Sequence, residues 1–465
     1  MAYRATDLPV PPDNPFEHDR LGRAPAVKFV AELLEKTGGP FVMALDAPWG
    51  TGKTTFVRML EAELIRSGFA CINFNAWQVD YVTDPLVALV SAIEQVDLKA
   101  GDKGAVFREG FKKVSRVTGL VAKRGAIATA KAITLGALEL DAEIERLAAE
   151  LAGGLTSDVV AAFQRERQLL ETFRRELESA IGLLAKSEKK GTLIFIVDEL
   201  DRCRPTFAIE LLERIKHLFD VPNIIFLLAL DKGQLEASAA KVYGERIDAV
   251  EYLRRFIDLE FSLPTPDMSA FTAALLDRFG MTEWFAGRTH PELRHDRANF
   301  VEFFTALANI FELSLRARER CMTRVQVVLD QTAEDHYLDP VLVALLVVLR
   351  VKVPSLFSSY CAGHASPADV MNALADQPGG AAFCEGDAGH ILEAHLVAAD
   401  PDRDRAEQFY KNLVQLREDD SAPQKERARA SALLDLRRHI PGFRRGELPL
   451  KLIAAKIDLA THIER

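Results

Sequence analysis

The sequence predicts an α/β domain built on a parallel sheet, with a helical insertion inside it and an all-α region after it. Three observations predict this. Short apolar runs at residues 41–47, 70–77, 192–200 and 223–231 alternate with helical stretches, the pattern of buried strands covered on both faces. Residues 99–190 are rich in Ala, Leu, Glu and Arg and read as helix without strand signals. Beyond Pro264-Thr265-Pro266 the chain reads almost entirely as amphipathic helices. The expected division is a first domain at 1–265, holding the insertion, and a helical domain at 266–465.

Each element follows in order. Pro9, Pro11, Pro12 and Pro15 make the first twenty residues an extended arm. A helical pattern over 24–34 is stopped by Gly38-Gly39-Pro40. FVMALDA, residues 41–47, is a buried strand, and a helix is expected over 54–67 after the turn that follows it. ACINFNAW (70–77), TLIFIVDEL (192–200) and NIIFLLALD (223–231) are further strands, the last two separated by a helix at 206–219. A helix at 249–255 precedes a strand, IDLEFSLP, that stops at Pro264.

Length and composition fit such a protein. At 465 residues the chain has room for two domains or three, each with its own core. Hydrophobic residues make up 48% and charged residues 27%, a globular and not a disordered composition. A net charge of -10 argues against a protein that coats nucleic acid non-specifically, while leaving room for a local basic patch. The five cysteines are widely spaced and read as reduced thiols. The N-terminal sequence has no basic start followed by an apolar run, and no stretch reaches the length of a spanning helix. A cytoplasmic location is the expectation.

The turn after the first strand reads Ala47-Pro48-Trp49-Gly50-Thr51-Gly52-Lys53-Thr54-Thr55. A loop that wraps phosphates must turn its backbone N–H groups inward, and glycines allow the close approach. The helix that follows adds its N-terminal amides and dipole. Lys53 is then expected to reach the β- and γ-phosphates, and the Thr54 hydroxyl to bind Mg²⁺. The strict pattern G-x-x-x-x-G-K-[ST] has glycine where this chain has Ala47, a departure that bears on the geometry of the turn. The plain alternative is a glycine-rich turn with an exposed lysine.

The run LIFIVDE ends in two acids. A buried strand delivers such charges to the sheet's C-terminal edge, where ligands of parallel sheets sit. Asp198 is the expected partner of Mg²⁺, and Glu199 the expected base for an attacking water. The plain alternative, acids that cap the next turn, is poor once a phosphate loop lies in the same chain. Asp201 and Arg202 follow at once, as binders of a neighbouring loop or subunit or as a simple helix entry.

Together these segments resemble a known family. Trp49 to Thr54, Phe74-Asn75-Ala76-Trp77 and Asp198-Glu199-Leu200-Asp201-Arg202-Cys203 resemble the signature blocks of KAP P-loop NTPases. Asp19-Arg20-Leu21-Gly22-Arg23, Ala229-Leu230-Asp231 and Tyr252-Leu253-Arg254-Arg255-Phe256 resemble further parts of that family. The resemblance implies an additional-strand ATPase related to AAA-like and signalling ATPases, binding ATP and Mg²⁺. It assigns Arg23, Trp49, Gly50, Thr51, Gly52, Lys53, Thr54, Thr55, Asn75 and Asp231 to the nucleotide. Bacterial relatives are linked to exclusion of phage or mobile elements, which implies a defence or signalling assembly. Many members carry transmembrane helices between the first and third blocks; here no stretch is long and apolar enough. Trp77 reads rather as packing, and Asp231 as either a polar sensor or a helix cap.

An arginine near the transferred phosphate would stabilise its charge. Arg254, Arg255, Arg316 and Arg318 are the candidates, each with a solvated or salt-bridged alternative; action in trans would require a homo-oligomer. No nuclease, protease or deaminase motif accompanies the site, so an effector protein partner would supply any further activity. Between residues 99 and 131 lie Lys99, Lys103, Arg108, Lys112, Lys113, Arg116, Lys123, Arg124 and Lys131 against Asp102 and Glu109. Such a stretch reads as a solvated helical hairpin, with peripheral membrane contact and nucleic-acid contact as its alternatives. Cys361, His364, Cys384 and His390 have ligand spacing, but the Ala- and Gly-rich sequence between them is unlike a zinc module.

Overall fold

The computed structural model describes residues 9–94, 114–115, 118, 159–183, 190–287, 293–332, 338–439 and 450–458. The first eight residues of the proposed arm and every basic residue of the 99–131 stretch lie outside the described residues. The chain divides into two compact units, with the division at Thr265 and Pro266.

In the first unit five parallel strands are β1 (Phe41–Asp46), β2 (Ala70–Asn75), β3 (Leu193–Asp198), β4 (Ile224–Leu230) and β5 (Leu259–Ser262), in the order β2-β3-β4-β1-β5. Every residue of β3 and β4 is buried, which is why both read as uninterrupted apolar runs. The strands end earlier than the apolar runs do. β2 stops at Asn75, after a last ladder bond from the Ala76 N–H to Asp198 O at 2.9 Å, because Ala76 turns to φ -63°, ψ -36° and a short 3₁₀ turn, Trp77–Val79, follows. β3 stops at Asp198 because Glu199 takes φ 62°.

Helices α1 (Ala24–Lys36) and α2 (Lys53–Arg66) cover one face, where Val27, Val30, Leu34, Phe56, Val57 and Leu60 pack on Met43, Leu45, Ile196 and Leu227. The other face carries α3 (Pro85–Glu94), α4 (Val159–Gly182), α5 (Pro205–Leu218), α6 (Lys232–Tyr243) and α7 (Ala249–Leu253). Its core is a row of rings. Phe74 meets Phe195 edge-on at 5.9 Å, Phe195 stacks on Phe226 at 5.1 Å, and Phe219 meets Phe226 at 5.5 Å. Each buried ring contributes about 1.5–3 kcal/mol through the area it removes from water. The row ties β2, β3 and β4 together directly beneath the edge that carries the site.

The second unit is all α in its described residues, from α8 (Met268–Arg278), α9 (Met281–Ala286), α10 (Asp296–Ile310) and α11 (Leu315–Asp330) to a C-terminal α19 (Leu450–Asp458). At its centre α12 (Pro340–Lys352) is buried from Pro340 to Leu349, which explains its all-round apolar sequence. No helix among the described residues is long and apolar enough to cross a membrane.

Asp339 caps α12. Its Oδ1 accepts the N–H groups of Val341 and Leu342 at 2.9 and 3.1 Å, and its Oδ2 meets His395 Nδ1 at 2.5 Å. His395 belongs to the helix Asp387–Ala399. Burial alone would favour the neutral imidazole, but the carboxylate and its hydrogen bond outweigh this and raise His395 above its ordinary 6.5. Burial likewise disfavours the Asp339 charge, and His395 and the two amides outweigh it, holding the carboxyl below 3.8.

Two outcomes follow from this packing. Phe195→Ala is expected to lower stability by about 3–5 kcal/mol, read from the urea unfolding midpoint, because it opens a cavity in the row of rings. The His395 contribution is complete below pH 6.5 and lost as pH rises through its raised folded pKa, whereas the Asp339 contribution is lost as pH falls through its depressed one. His395→Gln should therefore flatten the decline of the unfolding midpoint as pH rises above 6.5.

Candidate functional site

Three parallel strands deliver aspartates to one edge of the sheet. β1 ends at Asp46, β3 at Asp198, and Asp231 directly follows β4. Asp46 went unnoticed in the sequence, although FVMALD, LIFIVD and FLLALD repeat one signal, an apolar run closing on an aspartate. Its Oδ1 accepts the Lys232 N–H at 2.9 Å, joining the end of β1 to the start of α6. Asp231 takes the cap role, accepting the Gln234 N–H at 3.3 Å, and also lies close enough to act on the charge of Lys53.

The chain leaves β1 through Ala47, whose N–H still donates to Leu230 O at 3.1 Å. Ala47 is not among the residues with positive φ, so the loop does not need glycine there. It does need glycine at Gly50 and Gly52, with φ of 77° and 86°. Gly52 caps α2, so the amides of Lys53, Thr54 and Thr55 open that helix without intrahelical acceptors. Thr51 Oγ1 donates to Pro48 O at 2.7 Å and steadies the turn.

Lys53 is buried beside the loop. Its Nζ donates to Ala47 O, approaches Pro48 O at 3.5 Å, and lies 3.9 Å from Asp201 Oδ2. Burial lowers its pKa from 10.5, against the fields of Asp201, Asp231, Asp198 and Asp46. Burial in turn raises Asp198 above 3.8, opposed by a hydrogen bond from the Thr54 hydroxyl, while Glu199 adds to the rise. The Thr54 hydroxyl and the Asp198 carboxylate thus lie side by side. These hard oxygen donors suit a magnesium ion.

Glu199 stands in the left-handed region, an uncommon conformation for a residue with a side chain. Its Oε2 accepts from Asn75 Nδ2 at 2.9 Å and its Oε1 from Arg202 Nη1 at 2.5 Å. The Arg202 guanidinium lies 5.7 Å from the ring of Trp77, which is half exposed and not the packing residue its size predicts. The Trp49 indole N–H donates to Asp201, so one short turn, Leu200–Arg202, grips the phosphate loop through one residue and Glu199 through the next. Only backbone geometry at Glu199 makes this pairing, which sequence spacing does not reveal.

The candidate arginines divide between the two units. Arg254 and Arg255 follow the end of α7 and are exposed, with Arg254 paired to Glu251. Arg316 is exposed in α11 of the second unit. Arg318 is turned inward, donating to Leu313 O at 3.0 Å and Asn309 Oδ1 at 2.7 Å, with burial lowering its pKa to about 10; it steadies the start of its own helix. Arg23 is buried at the start of α1. Among the described residues no cluster of His, Cys, Asp and Glu is arranged as a metal site of protein ligands alone.

A model of the KAP family P-loop domain matches residues 23–330, about two thirds of the chain. No curated protein matches. Among solved structures the chain is similar to one titled "Structure of the Aeropyrum Pernix ORC2 protein (ADPNP-ADP complexes)", at 14% identity and over 94% of each chain, with a TM-score of 0.27. At that score the likeness carries no argument for this chain.

The loop geometry makes a direct expectation. Ala47→Gly should change the affinity for magnesium–ATP by less than about twofold, and Gly52→Ala should weaken it about tenfold, measured by calorimetric titration.

Proposed function

Because the chain belongs to the KAP family of P-loop domains, we propose that it binds and hydrolyses ATP, coupling turnover to conformational change in a larger assembly. One observation carries this reading: the amine of Lys53 and the carboxylates of Asp198 and Asp201 converge where the phosphate loop enters its helix. The loop amides and Lys53 would hold the β- and γ-phosphates. Thr54 and Asp198 would hold Mg²⁺, which when bound neutralises phosphate charge. Glu199, oriented by Asn75, would draw a proton from the attacking water.

The contacts of Glu199 also bear on regulation. Both of its oxygens are engaged, one by Asn75 and one by Arg202, so hydrolysis requires the Arg202 contact to open. This favours slow basal turnover and keeps a second reading in view, a nucleotide-gated scaffold that binds ATP and recruits an effector protein. Arg254, Arg255 and Arg316 are exposed, Arg254 in an ion pair with Glu251 that would have to open, and exposure of this kind suits a homo-oligomer in which one of them meets a neighbouring γ-phosphate. The role in phage defence or signalling rests on family resemblance alone.

Lys53→Ala should abolish phosphate release, and Glu199→Gln should slow it about a hundredfold or more while leaving ATP bound. Unimpaired hydrolysis in both purified variants would refute the assignment. A single-turnover experiment separates the two readings: the scaffold binds ATP with negligible phosphate release. If an arginine acts in trans, specific activity should rise with protein concentration, and Arg254→Ala, Arg255→Ala or Arg316→Ala should remove that rise.

A further inference from the structure

Between β2 and α3 the chain presents large rings to water. Trp77 is 52% exposed and Tyr81 78% exposed, although rings of this size usually gain by burying their area. The segment that carries them is not loose. The Gln78 N–H donates to Asn75 Oδ1 at 3.1 Å, the Val79 N–H to Ala76 O at 3.2 Å and the Val82 N–H to Val79 O at 3.0 Å. Val79 packs on the core, and Asp84 Oδ1 accepts the Leu86 N–H at 2.9 Å where α3 begins. Two rings four residues apart are therefore held outward by a pinned segment.

Arginines line the same segment. The Arg202 guanidinium lies 5.7 Å from the Trp77 ring, Arg204 pairs with Asp80 at 3.7 Å, and Arg214 pairs with Asp84 at 3.4 Å. In each ion pair, including Arg202 with Glu199, the arginine is the more exposed member; the Arg204 side chain is 57% exposed and that of Asp80 21%. An anion arriving from solvent thus meets guanidinium groups before carboxylates, and pairs this exposed are weak enough to share their arginine with it. Open aromatic faces beside guanidinium groups suit a ligand whose flat, stackable faces are joined by anionic links. A single strand of nucleic acid has both features, whereas a duplex hides its base faces in the stack. We propose that the surface formed by Trp77, Tyr81, Arg202, Arg204 and Arg214 binds single-stranded nucleic acid, with bases on the rings and phosphates on the arginines. This surface is separate in sequence from the basic stretch at 99–131 and does not depend on the phosphate-loop reading.

The experiment is fluorescence anisotropy of the full chain without nucleotide, using a fluorescein-labelled oligothymidylate of about 20 nucleotides and a duplex of equal length. The wild type should bind the single strand about tenfold or more tightly than the duplex. Trp77→Ala combined with Tyr81→Ala should weaken the single strand about tenfold or more. Trp77→Phe combined with Tyr81→Phe keeps stackable rings and should stay within about threefold of wild type. Arg204→Gln should weaken binding and reduce the slope of log affinity against log salt by about 0.7. No binding by the wild type, equal binding of strand and duplex, or full binding by the ringless variant would each overturn the proposal. A ringless variant that keeps the strand but loses self-association in sedimentation would also overturn it, and would make the surface a contact between copies of the chain. Because nucleotide is absent throughout, each of these outcomes leaves the ATP assignment untouched.

Discussion

The site depends on one electrostatic arrangement: a buried ammonium, Lys53, surrounded by the carboxylates of Asp46, Asp198, Asp201 and Asp231. Burial disfavours the charges of Lys53 and Asp198 in opposite directions, lowering the pKa of the lysine and raising that of the aspartate. The charges are tolerable together because each sign relieves the other. Such an arrangement leaves the acids in excess, and a divalent cation beside Asp198 would offset part of that excess. A parallel sheet is the device that gathers them, since all its strands release their C-terminal residues at one edge.

The same edge joins the phosphate loop to the end of β3 through very little chain. Asp201 holds Trp49 of the phosphate loop, and Arg202 beside it holds Glu199. The phosphate loop and Glu199 are thereby joined by a single 3₁₀ turn, Leu200–Arg202, which the left-handed conformation of Glu199 sets off from β3. Strain of this kind is retained where the surroundings over-determine it, and here the row of phenylalanines beneath the edge provides the rigid support.

The second unit is held together differently. Its described elements are all helical, and its buried polar groups act as caps and ties: Asp339 with His395, Arg318 with Leu313 and Asn309, and Arg405 with Asp400 at 2.6 Å. Each satisfies a helix end or a loop within the unit, which is the ordinary use of a buried charge.

The sequence by itself determined the parallel sheet, the phosphate loop and the pair Asp198-Glu199, because these depend on local signals: strand-length apolar runs, glycines at a turn, and acids where an apolar run ends. It overran the strand ends at Trp77 and Leu200, since hydrophobicity does not register the backbone turns at Ala76 and Glu199. It also left open whether Ala47 spoiled the loop, a question answered only by its φ and its bond to Leu230. The tertiary structure alone decided that Asn75 and Arg202 share Glu199, that Asp201 meets Lys53 and Trp49, and that Trp77 is exposed while Arg318 is buried. These pairings join segments far apart in the chain, and no local propensity encodes which distant groups a folded sheet will bring within a hydrogen bond of one another.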